Sequence, residues 1–305
     1  MTDIFYWTLN MSIIGSAMCG IILLLRRIRR IPRFFVYLLW VIPLCRFWIP
    51  FGISGKYSLM TLISHYISRT VVLHEAADLP FIVAANFVRA ADTYFPIVYK
   101  THLLAAVFQI ASFIWIVVGC GALIAMFLLY RFTKAEMRDA ILIRDNLYAS
   151  DRITSPAVYG IIKTRIIVPR GISDEDLAYI ELHETAHIAR KDNLFRCIAL
   201  VTACVHWFNP FIWMSLKYYF EDMEMACDAK VLSSLKREEQ KQYASALLHV
   251  SQGKNLFVSA FGGAKIKVRI ENILSYKKLT IASTLCFSAL LIAIAVLLLT
   301  NAQSR

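Results

Sequence analysis

No two of the seven cysteines stand in CxxC spacing, which removes ribbon-type and finger-type zinc sites and the thioredoxin-type redox pair. Cys19, Cys45, Cys120, Cys197, Cys204, Cys227 and Cys286 are scattered singly, four of them inside apolar runs. They read as small buried hydrophobes, neither a disulfide framework nor a metal cluster, and their usage fits a reducing compartment for the soluble part of the chain. A cleavable leader is not expected: Met1-Thr2-Asp3 carries no basic stretch, and the first apolar run is too long for a leader's core. Internal repeats and low-complexity tracts are also missing, so repeat and fibrous architectures drop out.

Acidic residues are scarce, 21 Asp and Glu against 33 Lys and Arg, and the net charge is +12. Such an excess invites a nucleic-acid partner, but the basic residues gather at the ends of apolar runs: Arg26, Arg27, Arg29 and Arg30; Arg131 and Lys134; Lys277 and Lys278. Anionic headgroups are the natural neighbours there, and no direct nucleic-acid contact is expected. The hydrophobic share of 58% exceeds the roughly 45–50% of soluble domains, and the excess calls for lipid.

A hydrocarbon core about 30 Å thick needs roughly 20 apolar residues in a helix. Residues 4–25, 34–53, 103–130 and 279–302 meet that length, interrupted only by Arg46, late in the second run. The basic residues orient them. Those at 26–33 belong in the cytoplasm, and so do Arg131 and Lys134. The loop over 54–102, with only Lys56, Arg69, Arg89 and Lys100, belongs outside. A multi-pass plasma-membrane protein with its N-terminus outside follows. Residues 1–130 form a membrane region, 131–278 a cytoplasmic domain holding 22 Lys and Arg and 17 Asp and Glu, and 279–305 a fourth span with a short outer tail. The apolar and aromatic residues of the outer loop suggest amphipathic helices lying on the bilayer.

Within the cytoplasmic domain, 157–169 (AVYGIIKTRIIVP) reads as a short hairpin, rich in β-branched residues with Gly160 and Lys163-Thr164 at turns. Ser173 before Asp174-Glu175-Asp176 is an N-cap with an acidic first turn, so a helix should run from there through the 180s. Further helices are expected over 193–207 and, after Asn209-Pro210, over 210–235.

On the first of these helices stands His183-Glu184-Thr185-Ala186-His187, an HExxH motif. Histidines at i and i+4 share a helix face and can hold one tetrahedral Zn²⁺, with Glu184 placed as general base toward the attacking water. The motif alone is moderately specific, since chance supplies one in about 25 chains of this length, and a solvated helix with two His and a Glu would look the same. A catalytic zinc takes a third protein ligand. Arg190 and Asn193 stand where a metzincin needs Gly and His, which leaves a carboxylate on a later helix. Glu221, Glu224 and Asp228 share one face there. Glu224 and Asp228 form an ExxxD pair in which Glu224 takes the metal, while Asp228 accepts from a ligand imidazole or pairs with Arg190. An acidic solvated face is the plain alternative.

HExxHxxRKD over 183–192, Asn209-Pro210-Phe211-Ile212-Trp213, and EDMEMACDAKVL over 221–232 together resemble the membrane metallopeptidases of the BlaR/MecR antirepressor type. Residues 38–59 resemble their second span and the loop after it, and 155–169 the strands before their zinc helix. The resemblance implies a mostly α polytopic membrane protein with four transmembrane helices and a gluzincin-like zinc peptidase domain containing a short β-hairpin. It implies His183, His187 and Glu224 as zinc ligands, Glu184 as base, and Asp228 and Arg190 in support. It further implies peptide-bond hydrolysis in a cytoplasmic repressor of the winged-helix DNA-binding type, in the chain itself, or in both. In that family a penicillin-binding sensor follows the fourth span, whereas here only a few residues follow, ending at Arg305, so β-lactam sensing by this chain is not expected. Ser251–Lys254 forms an SxxK without its SDN or KTG partners and is not read as an acylation site.

The glycine- and lysine-bearing stretch 252–269 is expected to be a loop, and the resemblance makes it the candidate for self-cleavage near 259–262. His206 and His249 read as ordinary histidines, and His65, His74 and His102 as lying on the far side of the membrane from the motif. Besides the bilayer and a protein substrate, self-association is left open. Two further readings stand beside the signalling peptidase: a membrane peptidase for protein quality control, and a non-catalytic transducer that retains the zinc fold.

Overall fold

The computed structural model describes residues 2–28, 30–49, 102–250 and 266–300. Helix α1 runs Thr2–Arg26, with Asp3 in its first turn and Arg26 in its last, charges that complement the helix dipole. Two short helices follow, α2 Arg33–Leu39 and α3 Val41–Trp48. Helix α4 spans His102–Glu136. Among the described residues three helices are long and apolar enough to cross a membrane: α1, Ala106–Ala135 within α4, and Ile281–Leu299, here α10.

The second apolar run behaves differently from the expected continuous span. It divides at Trp40, because Pro43 has no N–H to give the Leu39 carbonyl. Its residues Phe35, Val36, Tyr37, Leu39, Ile42 and Phe47 are buried within the protein. Residues 50–53 of that run, the outer loop 54–101, and residues 251–265 with the candidate cleavage site lie outside the described residues. From Ile266 the expected loop gives way to a helix, Ile266–Leu274.

A four-stranded sheet follows α4: β1 Ile141–Arg144, β2 Leu147–Ser150, β3 Ala157–Tyr159 and β4 Arg165–Pro169, in the order β1-β2-β4-β3. The expected hairpin is β3–β4, antiparallel with Val158 opposite Ile166. Gly160 turns it with φ +88°, where a Cβ would run into the Lys163 carbonyl. The parallel β2–β4 pair adds an inner strand unforeseen in the sequence. Leu147, Ile166 and Val168 pack on Ile180 of the next helix and so seat the motif helix on the sheet.

That helix is α5, Asp174–Ala189, with the Ser173 side chain accepting from the Asp176 N–H. Lys191 takes the left-handed conformation (φ 57°) at the junction with α6, Asp192–Val205. Asn209 caps α7, Pro210–Leu232, by accepting from the Phe211 N–H; Pro210 at the first position has no N–H to waste. Helices α8, Arg237–Val250, and α9, Ile266–Leu274, complete the domain. The largest core joins α1, α2, α3, α6 and α7, with Ile14, Met18 and Ile22 meeting Trp40, Ala203, Tyr219 and Met223. The helices after the sheet therefore share their interior with the N-terminal ones.

Asn209 pins this arrangement, its amide donating to Ser12 Oγ and Ser16 Oγ, both at 2.7 Å. Replacing Asn209 with Ala removes a helix cap and these buried bonds, and should cost about 2–3 kcal/mol, with a smaller loss for Ser16→Ala. Thermal unfolding of the detergent-solubilised protein measures both, and an Asn209→Ala protein as stable as wild type would show that the contact carries no weight.

Candidate metal centre

On α5, His183 and His187 lie one turn apart and point the same way. Their Nε2 atoms are 3.1 Å apart, and both side chains are buried. Each ring is fixed through its other nitrogen. His183 Nδ1 lies 2.8 Å from the Tyr243 hydroxyl of α8, and His187 Nδ1 lies 2.6 Å from Asp192 Oδ2 at the start of α6. Both Nε2 atoms are thereby left facing a common point.

Helix α7 brings Glu224 to that point, Oε2 at 3.6 Å from His183 Nε2 and 3.8 Å from His187 Nε2. A tetrahedral zinc with bonds of about 2.0–2.2 Å sets neighbouring N and O donors about 3.3–3.5 Å apart. The three observed separations bracket that spacing, so the donor set fits such an ion. One turn along α7, Cys227 offers a second candidate donor, since ligand atoms of His183, His187 and Cys227 all lie within 4.8 Å of one another. Its sulfur also donates to the His183 carbonyl, at 3.5 Å. The sequence reading left Cys227 as a plain hydrophobe; its signal was a position three residues after Glu224, on the same face.

Charge at the site is mutually supporting. Burial works against the imidazolium of His183, but Cys227 and Glu224 outweigh it and push the pKa up to about 10. Burial likewise opposes the Cys227 thiolate, while the two histidines draw it down to about 7. Burial would raise the Glu224 carboxyl, yet His187, His183 and Arg269 hold it well below the usual carboxylate range.

Asp228 lies 3.5 Å from His183 Nδ1, accepts from Tyr243 at 2.7 Å, and is gripped by Arg269 of α9 through two bonds of 2.7 and 2.8 Å. The alternative pairing with Arg190 does not form. Arg190 instead donates to the Met223 carbonyl, lies 3.5 Å from Asp192 and stacks over the Tyr37 ring, because the chain turns at Lys191 and carries it toward α2. Arg269 also stands 3.3 Å from His183 Nε2 and 3.3 Å from Glu224, so its guanidinium and a bound cation compete for the same space, and Asp228 is the anchor toward which it can withdraw. Glu184 is buried beside His183 on α5. Glu221 faces away from the donors and pairs with Arg26 at 2.6 Å. His206 packs on Phe47, and the exposed His249 pairs with Asp176; neither joins the group.

Two supports come from the N-terminal helices. Tyr37 of α2 donates to Asp192 Oδ1 at 3.1 Å, on the carboxylate that holds His187. Asp222 of α7, with no exposure, accepts from Arg26 through both oxygens at 3.0 Å and from Trp40 Nε1 at 2.9 Å.

Two histidines one turn apart on a helix, with a carboxylate from a later helix beside them, are thus packed among membrane-length helices. The chain belongs to the BlaR1 peptidase M56 family, whose model matches residues 6–273. It is 30% identical over 139 residues to the Methicillin resistance mecR1 protein of Staphylococcus aureus, which is 42% of this chain and 24% of that one. It is 32% identical over 141 residues to the Regulatory protein BlaR1 of Bacillus licheniformis, covering 43% and 24%. With the Regulatory protein BlaR1 of Staphylococcus aureus it shares 25% identity across 94% of this chain and 55% of the other. The chain thus spans about half the length of that relative at most.

Partners that fix a ligand imidazole typically change metal affinity about 10–100-fold when removed. Asp192→Asn should weaken metal binding within that range, and Tyr37→Phe should weaken it in the same direction by less. Chelator competition reads both, and unchanged affinity in the two variants would detach the α5–α6 junction from metal binding.

Proposed function

We propose that this chain is an integral-membrane zinc endopeptidase of the antirepressor type, hydrolysing a peptide bond in a cytoplasmic repressor, in itself, or in both. The observation that carries the reading is the pair of Nε2 atoms 3.1 Å apart, each fixed through its Nδ1, with the Glu224 carboxylate beside them. Membership of a peptidase family supports hydrolysis, and relatives named as regulatory and methicillin-resistance proteins support a place in signalling.

His183, His187 and Glu224 hold the metal. A zinc ion bound there would polarise the attacking water and the scissile carbonyl. Glu184 takes the proton from that water and delivers it to the leaving amine nitrogen. Asp192 and Tyr243 keep the two imidazoles in the tautomer that presents Nε2, and Asp228 orders Tyr243 and Arg269. In this reading the N-terminus lies outside the plasma membrane, the metal on the cytoplasmic side, and a winged-helix repressor is the fitting substrate.

Glu224 is preferred over Cys227 as third ligand because its Oε2 stands 3.6 and 3.8 Å from the two Nε2 atoms, near the spacing of donors that share one ion, whereas the Cys227 thiol donates to the His183 carbonyl as well as facing the imidazoles. Metal analysis of the purified full chain decides between them. Glu224→Ala should lose the metal and Cys227→Ser should keep it, and the reverse pattern would make Cys227 the ligand.

Glu184→Gln keeps the size of the side chain but cannot accept the proton. It should retain zinc and lose about 10²–10⁴-fold in rate, so that cells accumulate full-length protein and uncleaved repressor. Measured with the inducing stimulus or a co-expressed repressor, a Gln variant that signals as well as wild type would show that proteolysis is not the output.

A further inference from the structure

The bend between α6 and α7 sits at an unexpected height. Asn209 donates to Ser12 and Ser16, in the middle of α1. From Ser12 and Ser16 to Arg26, the basic end of that helix, fourteen and ten residues measure about 21 and 15 Å. A second helix supplies an independent ruler. Trp115 Nε1 donates to the Val205 carbonyl at 2.7 Å, and Trp207 Nε1 donates to the Trp115 carbonyl at 3.3 Å. From Trp115 to Arg131 is about 24 Å along α4. The third ruler is α7 itself. Asn209 meets Ser12 while Asp222 meets Arg26, so α1 and α7 run side by side in the same direction over about 20 Å.

We infer that α6 and α7 form a re-entrant hairpin that enters the bilayer from the cytoplasmic side, reaches the midplane and returns, its outer face against lipid acyl chains. In a hydrocarbon core of about 30 Å, a bend about 15–24 Å above the basic helix ends lies at the middle or beyond it. Irregular backbone survives at that depth only where protein satisfies its polar groups, and several groups of the bend are met in this way, although the buried His206 Nδ1 has no hydrogen-bond partner among the described residues. Val205 O receives Trp115, Trp207 O receives Trp213, the His206 N–H reaches Thr202 O, the Asn209 N–H reaches His206 O, and the Asn209 side chain closes the turn onto Phe211. Near the bend the side chains facing out are apolar: Phe211 is 52% exposed, Met214 41%, Trp213 39% and Ile198 37%, and the first exposed charge on α7 is Lys217, eight residues or about 12 Å nearer the cytoplasmic end than Asn209. Contact of the bend with the middle of α1 and α4 sets Phe211–Met214 at that depth.

Consequences follow for the proposed peptidase, on which this point rests. Glu224 lies two residues beyond Asp222 and hence level with Arg26. The metal donors therefore stand at the cytoplasmic headgroup layer, and a scissile segment must come to the membrane surface to be cut.

Photo-crosslinking in native membranes tests the hairpin. A benzoylphenylalanine replaces Phe211 or Met214 in the full chain, with Phe113 of α4, 63% exposed, as the span control and the exposed Glu238 of α8 as the aqueous control. Mass spectrometry should find acyl-chain adducts at 211, 214 and 113 and none at 238. Acyl adducts at 113 but only headgroup adducts, protein adducts or an unreacted probe at 211 and 214 would overturn the hairpin. Failure at 113 as well would overturn the membrane reading of α4 and the inference with it. The peptidase reading answers to the Glu184 variant instead, so the two fail separately.

Discussion

Asp222 has no solvent exposure, and a buried carboxylate without partners costs several kcal/mol. Its partners come from three directions, Arg26 at the end of α1, Trp40 between α2 and α3, and Arg33 at 3.9 Å. Helix α7 buries this carboxylate only with those helices in place, and Arg26 reaches from there to Glu221 as well. The rest of the structure depends on this knot, for Glu224 stands two residues further along α7 and inherits its position. Around the knot the apolar core of α1, α2, α3 and α7 supplies most of the cohesion, while the charge cluster sets the register in which those surfaces meet.

What could be read in the sequence was local in origin. Length and hydropathy marked α1, α4 and α10; Ser173 and Asn209 announced their helices; and Gly160 marked the hairpin. HExxH is a spacing within a single helix and declares itself for the same reason. The divided second run shows the limit of composition. Residues 34–48 are as apolar as a span, but an apolar side chain reads the same whether lipid or protein covers it, and here protein covers much of one. The end of the loop expected at 252–269 failed differently, for residues 266–269 are helical. Arg269 gave no sign, as a basic residue in a glycine- and lysine-bearing stretch, that it sits on a helix and grips Asp228.

Distance along the chain separates the visible part of the centre from the hidden part. Tyr243 reaches His183 from 60 residues away, Arg269 from 86, and Tyr37 reaches Asp192 from 155. No periodicity in α8 or α2 distinguishes these residues from ordinary core aromatics, because most of each ring does belong to the core: Tyr37 stacks on Tyr219 at 5.6 Å while its hydroxyl alone enters the polar network. Cys227 was hidden by its own chemistry, since a buried thiol behaves as a hydrophobe until two imidazoles face it.

The two supports from α1 and α2 reach different donors by different routes. Arg26 and Trp40 act on α7 and so on Glu224, whereas Tyr37 acts on Asp192 and so on His187, and Tyr37 and Trp40 are neighbours on a single turn. A displacement of α2 along its axis would therefore disturb two of the candidate donors together, His187 by tilting its ring and Glu224 by shifting its helix. Packed interiors resist small deformations and yield in discrete rearrangements. Helices that share a core with the candidate metal site, and hydrogen-bond to what holds its candidate donors, thus have a physical means of changing its geometry. The means needs no hinge and no separate linker, because the N-terminal helices are part of the wall of the centre itself.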